Sequence, residues 1–182
     1  MDVLDLGCRA ALIVVFGLAV AGKIRNRASW DAFAQSLAAT GVPSSWPKAP
    51  AAAAIVALEA AAAAFLVTWP AAGYPLAVGL LVIFTGALGL ALLRGETAPC
   101  RCFGASERPI GPAHLARNGA LLAVAIAGVG ATLLDSKGAA GLQSSIAALL
   151  VGGMAGLLIT RWDDLLFLFT AAPIERAAPR RR

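Results

Sequence analysis

Long stretches without charge are the feature that most constrains this chain. Residues 49–93 contain one charged side chain, that of Glu59, and residues 138–160 contain none. A helix needs about 20 predominantly apolar residues to cross a bilayer. Charged residues make up 14% of the chain and apolar residues 59%, whereas soluble domains average roughly 25% and 45–50%. The sequence therefore excludes a soluble enzyme and predicts an integral membrane protein.

Five apolar segments are long enough to span a membrane: residues 3–22, 50–68, 72–93, 112–134 and 142–160. They are rich in Ala, Leu, Val and Gly and lack the alternation of membrane β-strands, so we predict helices. The predicted fold class is all-α, a polytopic integral membrane helical bundle with a four-helix core and a fifth transmembrane helix. We divide the chain into a four-helix membrane domain at 1–134, an additional transmembrane helix at 135–160, and an interfacial segment with an Arg-rich cytoplasmic tail at 161–182.

Two connections carry local signals. Pro70 and Pro75 are predicted to bracket a tight turn between the second and third spans. In the first connection, Ser29 is predicted to cap a short helix. One face of that helix carries the apolar side chains of Trp30, Phe33 and Leu37. We expect this amphipathic segment to lie in the membrane interface.

The ends of the chain and its charges predict a topology. Ala19-Val20-Ala21 resembles a signal-peptide cleavage site, but Asp2 and Asp5 stand where a signal peptide carries positive charge, so we expect a retained first span. With five spans, thirteen Lys and Arg residues fall on one side and two, Arg9 and Lys137, on the other. The positive-inside rule then predicts a multi-pass protein of the cell membrane, with its N-terminus outside and its C-terminus cytoplasmic. Because the basic residues flank apolar segments, a lipid bilayer and no nucleic acid is the predicted partner.

The sharpest chemical signal is the pair Cys100 and Cys102, separated by one residue in a loop. Such a pair can close a small, strained ring, and strained disulfides are the labile ones that serve redox exchange. Nearby cations, Lys23 among them, would stabilise the reactive thiolate. Two other interpretations stay open: inert loop thiols, or a soft-metal site with His114, which lacks a fourth ligand. Cys8, alone in the first span, is predicted to be a small buried hydrophobe.

Glu59 lies about ten residues into the second span and is predicted to sit near mid-membrane. A charge at that depth normally faces the bundle interior and finds a partner, and we expect Arg117 or Arg9 to supply it. The pair would either fix helix register or serve as a proton acceptor or ligand contact. Lys23 ends the first span, and Arg117-Asn118 begins the fourth, on the membrane side of the Cys100 loop.

These residues resemble the pattern of a known family. The segment 16–23 that ends in Gly22-Lys23, Glu59, Arg117-Asn118 and the loop sequence Cys100-Arg101-Cys102-Phe103-Gly104 are similar to those of the methylamine utilisation protein MauE family, within the wider DoxX-like membrane proteins. The resemblance covers about residues 5–130. It implies a redox-associated four-helix membrane protein needed for maturation of the disulfide-rich small subunit of methylamine dehydrogenase, beside a thioredoxin-like partner. It also implies catalytic roles for Cys100 and Cys102, supported by Lys23, Glu59, Phe103, Gly104, Arg117 and Asn118.

The expected function is therefore that of a membrane thiol-redox accessory protein. A non-catalytic membrane scaffold or chaperone, and a transporter of a small solute or soft metal that uses Glu59, are the alternatives. No cofactor is predicted, although a quinone or a soft metal is compatible with the sequence. Maturation of an external subunit calls for external thiols, whereas the charge count places Cys100 and Cys102 inside. A relay across the membrane, a departure from the charge rule, or a cytoplasmic partner would each reconcile the two.

Overall fold

A computed structural model describes residues 2–37, 47–95, 111–134 and 141–161. Six helices make up these ranges: α1 (Val3–Ile24), α2 (Arg27–Ser36), α3 (Lys48–Thr68), α4 (Pro70–Leu93), α5 (Pro112–Leu133) and α6 (Leu142–Thr160). All except α2 are long and apolar enough to cross a membrane, and the described ranges contain no strand. The predicted all-α membrane bundle with five spans is confirmed.

The helix boundaries depart from the sequence-based prediction in two places. The turn between α3 and α4 consists of Trp69 alone, and Pro75 lies inside α4 rather than in the turn. Only one backbone donor is lost at Pro75, which an apolar spanning helix tolerates. The short helix α2 is capped by Asn26, whose Oδ1 accepts a hydrogen bond from the Ser29 backbone N–H at 2.7 Å, so Ser29 is the residue that is capped.

The spans alternate in direction, and this fixes two ends of the bundle. We define the basic end as the one at which α1 and α4 finish and α3 and α5 begin; it carries Lys23, Lys48 and Arg94. The opposite end holds the start of α1 and the turn at Trp69. Between the two ends, a shared core of Leu, Phe, Val and Ala side chains from α1, α3, α4 and α5 is closed to solvent. Cys8 belongs to this core, as predicted.

Helix α6 runs parallel to α1 and packs closely on it through residues without large side chains. A Cβ atom at Gly156 would approach the Ala11 carbonyl oxygen to 2.6 Å, and one at Gly152 would overlap the carbonyl of Gly7. Small residues of this kind let two helix backbones approach closely in a membrane, where lipid offers no competing hydrophobic gain. The rest of α6 presents large apolar side chains outward, among them Leu150, at 69% exposure.

Helix α2 follows α1 and packs against the first turns of α3. Phe33, Ala34 and Leu37 form its buried face and pack with Ala52 of α3, while Asp31 and Gln35 point outward. The predicted apolar face of α2 is therefore confirmed. Helix α2 also contacts the partly buried Ile55 and Val56 of α3.

Candidate functional site

A buried ion pair joins α1 to α3 near the basic end. The Nζ of Lys23 donates to Oε1 of Glu59, and the two side chains are 1% and 0% exposed. Lys23 lies in the last turn of α1 and Glu59 is the twelfth residue of α3. Burial removes the hydration of both charges, so the attraction between the ammonium and the carboxylate must compensate for that loss. The predicted burial and pairing of Glu59 are therefore observed.

The predicted cation for Glu59 was wrong. Its partner is Lys23, whereas Arg9 lies at the opposite end of α1 and bonds elsewhere. The prediction placed the end of α1 and the start of α3 in one plane, which would leave Glu59 far below Lys23. The contact instead places the lysine ammonium at the level of Glu59, the twelfth residue of α3, and not at the first turn of that helix.

Two aromatic rings complete the surroundings of the lysine. The Lys23 ammonium lies 4.8 Å from the ring centroid of Phe33 on α2 and 5.7 Å from that of Phe84 on α4. Both distances are within the roughly 6 Å at which the negative face of an aromatic ring attracts a cation. The ammonium is therefore held by a carboxylate and two rings from three other helices. Neither ring was predicted to contact Lys23, because neither is a neighbour of Lys23 or Glu59 in the chain.

The pair leaves an acceptor unused. Oε2 of Glu59 is buried and has no hydrogen-bond partner among the described residues. The same holds for Oδ1 of Asn118, a residue 2% exposed in the second turn of α5. Buried polar atoms are usually bonded, so each of these two oxygens is able to accept a further donor.

The remaining predicted polar residues of α5 are also buried at this end. Arg117 is 6% exposed and His114 is 4% exposed. Nδ1 of His114 accepts the Gly111 backbone N–H at 3.4 Å, which ties the imidazole to the start of its own helix. The structure thus places Arg117 and Asn118 inside the bundle at the basic end, on the helix that follows the cysteine loop.

Cys100, Cys102, Phe103 and Gly104 lie outside the described residues, in the connection between Gly95 and Gly111. The described residues that flank this connection, at the end of α4 and the start of α5, lie at the basic end, as Lys23 does. Lys23 was expected to act on the thiols as a cation, but its charge is compensated by Glu59. Within the described ranges, no group of three His, Cys, Asp or Glu residues is arranged to hold a metal ion.

A second buried polar cluster lies at the opposite end and was not predicted. The guanidinium of Arg9 donates to the carbonyl oxygens of Leu66 at 2.8 Å and Val67 at 3.0 Å, and approaches the Asp5 carboxylate at 3.4 Å. The phenol of Tyr74 donates to Oδ1 of Asp5 at 2.8 Å. Arg9 therefore satisfies carbonyls that the end of α3 leaves open. The spacing of four residues between Asp5 and Arg9 could have predicted their ion pair on one helix face. Nothing in the sequence indicated that Tyr74 would join them.

Comparison with known proteins identifies one relationship. The family model described as methylamine utilisation protein MauE matches residues 1–131. No curated protein and no solved structure matches the chain. The matched part includes Lys23, Glu59, Arg117, Asn118 and the whole cysteine loop, whereas α6 lies beyond it.

Proposed function

This chain belongs to the methylamine utilisation protein MauE family, and from that premise we propose that it is a thiol-redox accessory protein that works by dithiol–disulfide exchange. The family match and the five candidate spans of the described residues make it a methylamine-utilisation-associated membrane protein. In the proposed function, Cys100 and Cys102 carry out the exchange, with a thioredoxin-like protein as partner.

The observation that carries the proposal is the position of the Cys-x-Cys pair inside the matched region. Cys100 follows Gly95 by five residues and Cys102 precedes Gly111 by nine. The two flanking helices are packed together near this end through Leu88, Ala91 and Leu115. A Cys-x-Cys pair in a connection between two packed helices could therefore react with a partner without a separate domain to carry it.

In the proposed exchange, the cysteine pair reduces a disulfide of the partner in two steps. A thiolate of the pair attacks one sulfur of a disulfide in the partner, forming a mixed disulfide and releasing one partner thiolate. The second thiolate of the pair attacks the first cysteine's sulfur, closes the Cys100–Cys102 disulfide and releases the second partner thiolate. Two electrons pass to the partner, and the reverse sequence reduces the pair. The relative reduction potentials set the direction.

We further propose that the basic end faces the cytoplasm. Lys23, Lys48 and Arg94 lie at this end in the described structure, and the Arg-rich residues 176–182 follow α6, which finishes there. A cytoplasmic thioredoxin-like partner would then meet the thiols directly. Maturation of an external, disulfide-rich subunit such as that of methylamine dehydrogenase would require a further relay.

Trapping of the mixed disulfide tests the exchange. Cys100→Ser and Cys102→Ser each leave one thiol that can attack a partner but cannot resolve the product, so each should accumulate a covalent complex that a reductant releases. The double variant should trap nothing. Cys8→Ser is the matched control, because Cys8 is buried in the core and its loss should leave the trapped complexes of the loop variants unchanged.

Two outcomes would contradict the proposal. Full activity of both single variants with no trapped species would leave a scaffold as the better function. Loss of activity on replacing Glu59 but on neither cysteine change would favour transport. Alkylation of the loop thiols in intact cells, compared with opened membranes, reports the side of the basic end in the same experiment.

A further inference from the structure

Exposed positive charge collects around helix α2 at the basic end. Arg25 follows α1, Arg27 begins α2 and Lys48 begins α3, and all three side chains are exposed. We call these three residues the α2 basic patch. Asp31 is the only acidic residue between positions 6 and 58, and among the described residues it forms no ion pair with any of the three cations. The patch therefore carries a net positive charge on its surface.

The packing of α2 brings the two parts of the patch to one side of the bundle. Only two residues separate α1 from α2, so Arg25 and Arg27 lie where α2 begins. Lys48 precedes Ala52 by four residues and therefore lies on the same face of α3, and Ala52 packs against the buried face of α2. Cations from two separate segments of the chain thus lie beside one short helix.

The patch lies at the level expected for lipid headgroups. Ile24 ends α1, a helix long and apolar enough to cross the membrane, and it is 57% exposed. Arg25 follows it directly. Trp30 of α2 is half-buried, and tryptophan side chains favour the membrane interface. The patch therefore adjoins the apolar surface that acyl chains cover.

The apolar face of α2 is already occupied by the protein. The sequence predicted that this face lies in the membrane interface, but Phe33, Ala34 and Leu37 are buried with Ala52 of α3. Apolar insertion is therefore not how α2 contacts lipid in this structure. Its exposed charges remain available for that contact.

We propose that the α2 basic patch binds the headgroup of an anionic phospholipid, whose phosphate bridges the arginines at the start of α2 and Lys48 of α3. Guanidinium groups match the geometry of phosphate oxygens, and a lysine ammonium adds a compact positive charge. The exposed apolar surface directly beside the patch favours a lipid over an acidic protein as the partner. The proposal does not rest on the thiol exchange.

The bound lipid would also hold α2 in place. An isolated helix of ten residues is marginal in water, so α2 depends on its contacts with α3. A headgroup that contacts both the start of α2 and the start of α3 links the two helices on their outer side. Helix α2 is then expected to be more stable in an anionic membrane than in a neutral one.

Native mass spectrometry of the full chain tests the binding, after release from nanodiscs with equal amounts of phosphatidylglycerol and phosphatidylcholine. We expect the wild type to retain phosphatidylglycerol several-fold over phosphatidylcholine, because basic residues near the surface attract anionic lipid. The triple variant Arg25→Gln, Arg27→Gln and Lys48→Gln should lose most of this preference. Asp31→Asn should increase it, since the only acid beside the patch is removed.

A matched pair of single variants separates the patch from the basic end as a whole. Lys48 and Arg94 are both exposed at the basic end, but Arg94 ends α4 and lies outside the patch. Lys48→Gln should lower the retained ratio of the two lipids about twofold or more, and Arg94→Gln should leave it unchanged. Equal retention of both lipids by the wild type, or an equal effect of these two variants, would overturn the proposed site.

Hydrogen exchange of the α2 backbone amides tests the stabilisation of this helix. Exchange in the wild type should be several-fold slower in nanodiscs with phosphatidylglycerol than in phosphatidylcholine alone, and the difference should disappear in the triple variant and shrink in 1 M salt. All three substituted side chains are exposed, so the variants keep the buried contacts of α2. Equal exchange in both membranes would overturn the link between lipid and α2. Polyglutamate binding that phosphatidylglycerol does not weaken, and that the triple variant loses, would assign the patch to an acidic protein instead.

Discussion

The phenol of Tyr74 donates a hydrogen bond to Oδ1 of Asp5 at 2.8 Å, although 69 residues separate them in the chain. The same hydroxyl lies 3.2 Å from the Asp5 backbone carbonyl. This contact joins the first turn of α1 to the first turns of α4, and Arg9 extends the cluster to the end of α3. Three helix termini are therefore fixed to one another by buried polar groups at the opposite end from Lys23 and Glu59.

Replacement of Tyr74 by Phe should lower the free energy of unfolding by about 1–3 kcal/mol, because the ring stays while the buried Asp5 acceptor loses its donor. Thr68→Val is the control. The hydroxyl of Thr68 donates to the Ala64 carbonyl at 3.0 Å at an exposed position, so its loss should cost less than about 0.5 kcal/mol. Unfolding in mixed detergent micelles measures both. An equal effect of the two changes would show that the Tyr74–Asp5 hydrogen bond contributes no more to stability than an exposed hydrogen bond.

Gly152→Ala should lower stability by about 1–3 kcal/mol through overpacking, because the added methyl group would overlap the Gly7 carbonyl of α1. Gly153 provides an adjacent control. A Cβ there meets only Val14 Cγ2, at 3.9 Å, so Gly153→Ala should gain up to about 1 kcal/mol of helix propensity. Thermal unfolding of the two variants tests the orientation of α6, and a reversed order would mean that α6 presents another face to α1.

The Lys23–Glu59 pair should show strong energetic coupling. Either Lys23→Met or Glu59→Gln should lower stability by about 3–5 kcal/mol, since each leaves one charge buried without its partner. The double variant should lose less than the sum of the single changes by at least about 2 kcal/mol. A double-mutant cycle by denaturant unfolding measures the coupling. Additive effects would place the two residues apart in the membrane-embedded protein.

Reporter fusions should establish the topology. A reporter joined after Arg182 is expected to be active in the cytoplasm, and one in the loop containing Lys137 to be active outside, because thirteen of the fifteen basic residues fall on one side. The reverse pattern would place the Cys100 loop outside the cell and remove the need for a relay to an external subunit.

Hydropathy predicted the spans closely because a helix that crosses lipid must be predominantly apolar along its whole length. The last spans were expected at 112–134 and 142–160 and observed at Pro112–Leu133 and Leu142–Thr160. Local capping was less predictable. Ser29 and Asn26 are three residues apart, and both are good caps, so composition alone did not distinguish the cap from the residue that it bonds.

Contacts between helices were the part that the sequence did not determine. Depth along one helix can be counted from its ends, but the relative position of two helices depends on how their side chains pack. The sequence therefore did not show that Glu59 pairs with Lys23 rather than with Arg117 or Arg9. The contacts of Phe33 and Phe84 with Lys23 were not predicted for the same reason. The proposed roles of Cys100 and Cys102 concern residues outside the described ranges and stay predictions.

The pairing of α6 with α1 has a consequence for biosynthesis. About 120 residues separate the end of α1 from the start of α6, which at 5–20 residues per second corresponds to roughly 6–24 s of translation. During that interval, the Gly7–Ala11 surface of α1 is in the bilayer without the helix that covers it. Of the described helices, α6 is the last to leave the ribosome, and it covers this surface of α1. The speed of synthesis therefore sets how long the first helix stays accessible to other newly inserted membrane segments.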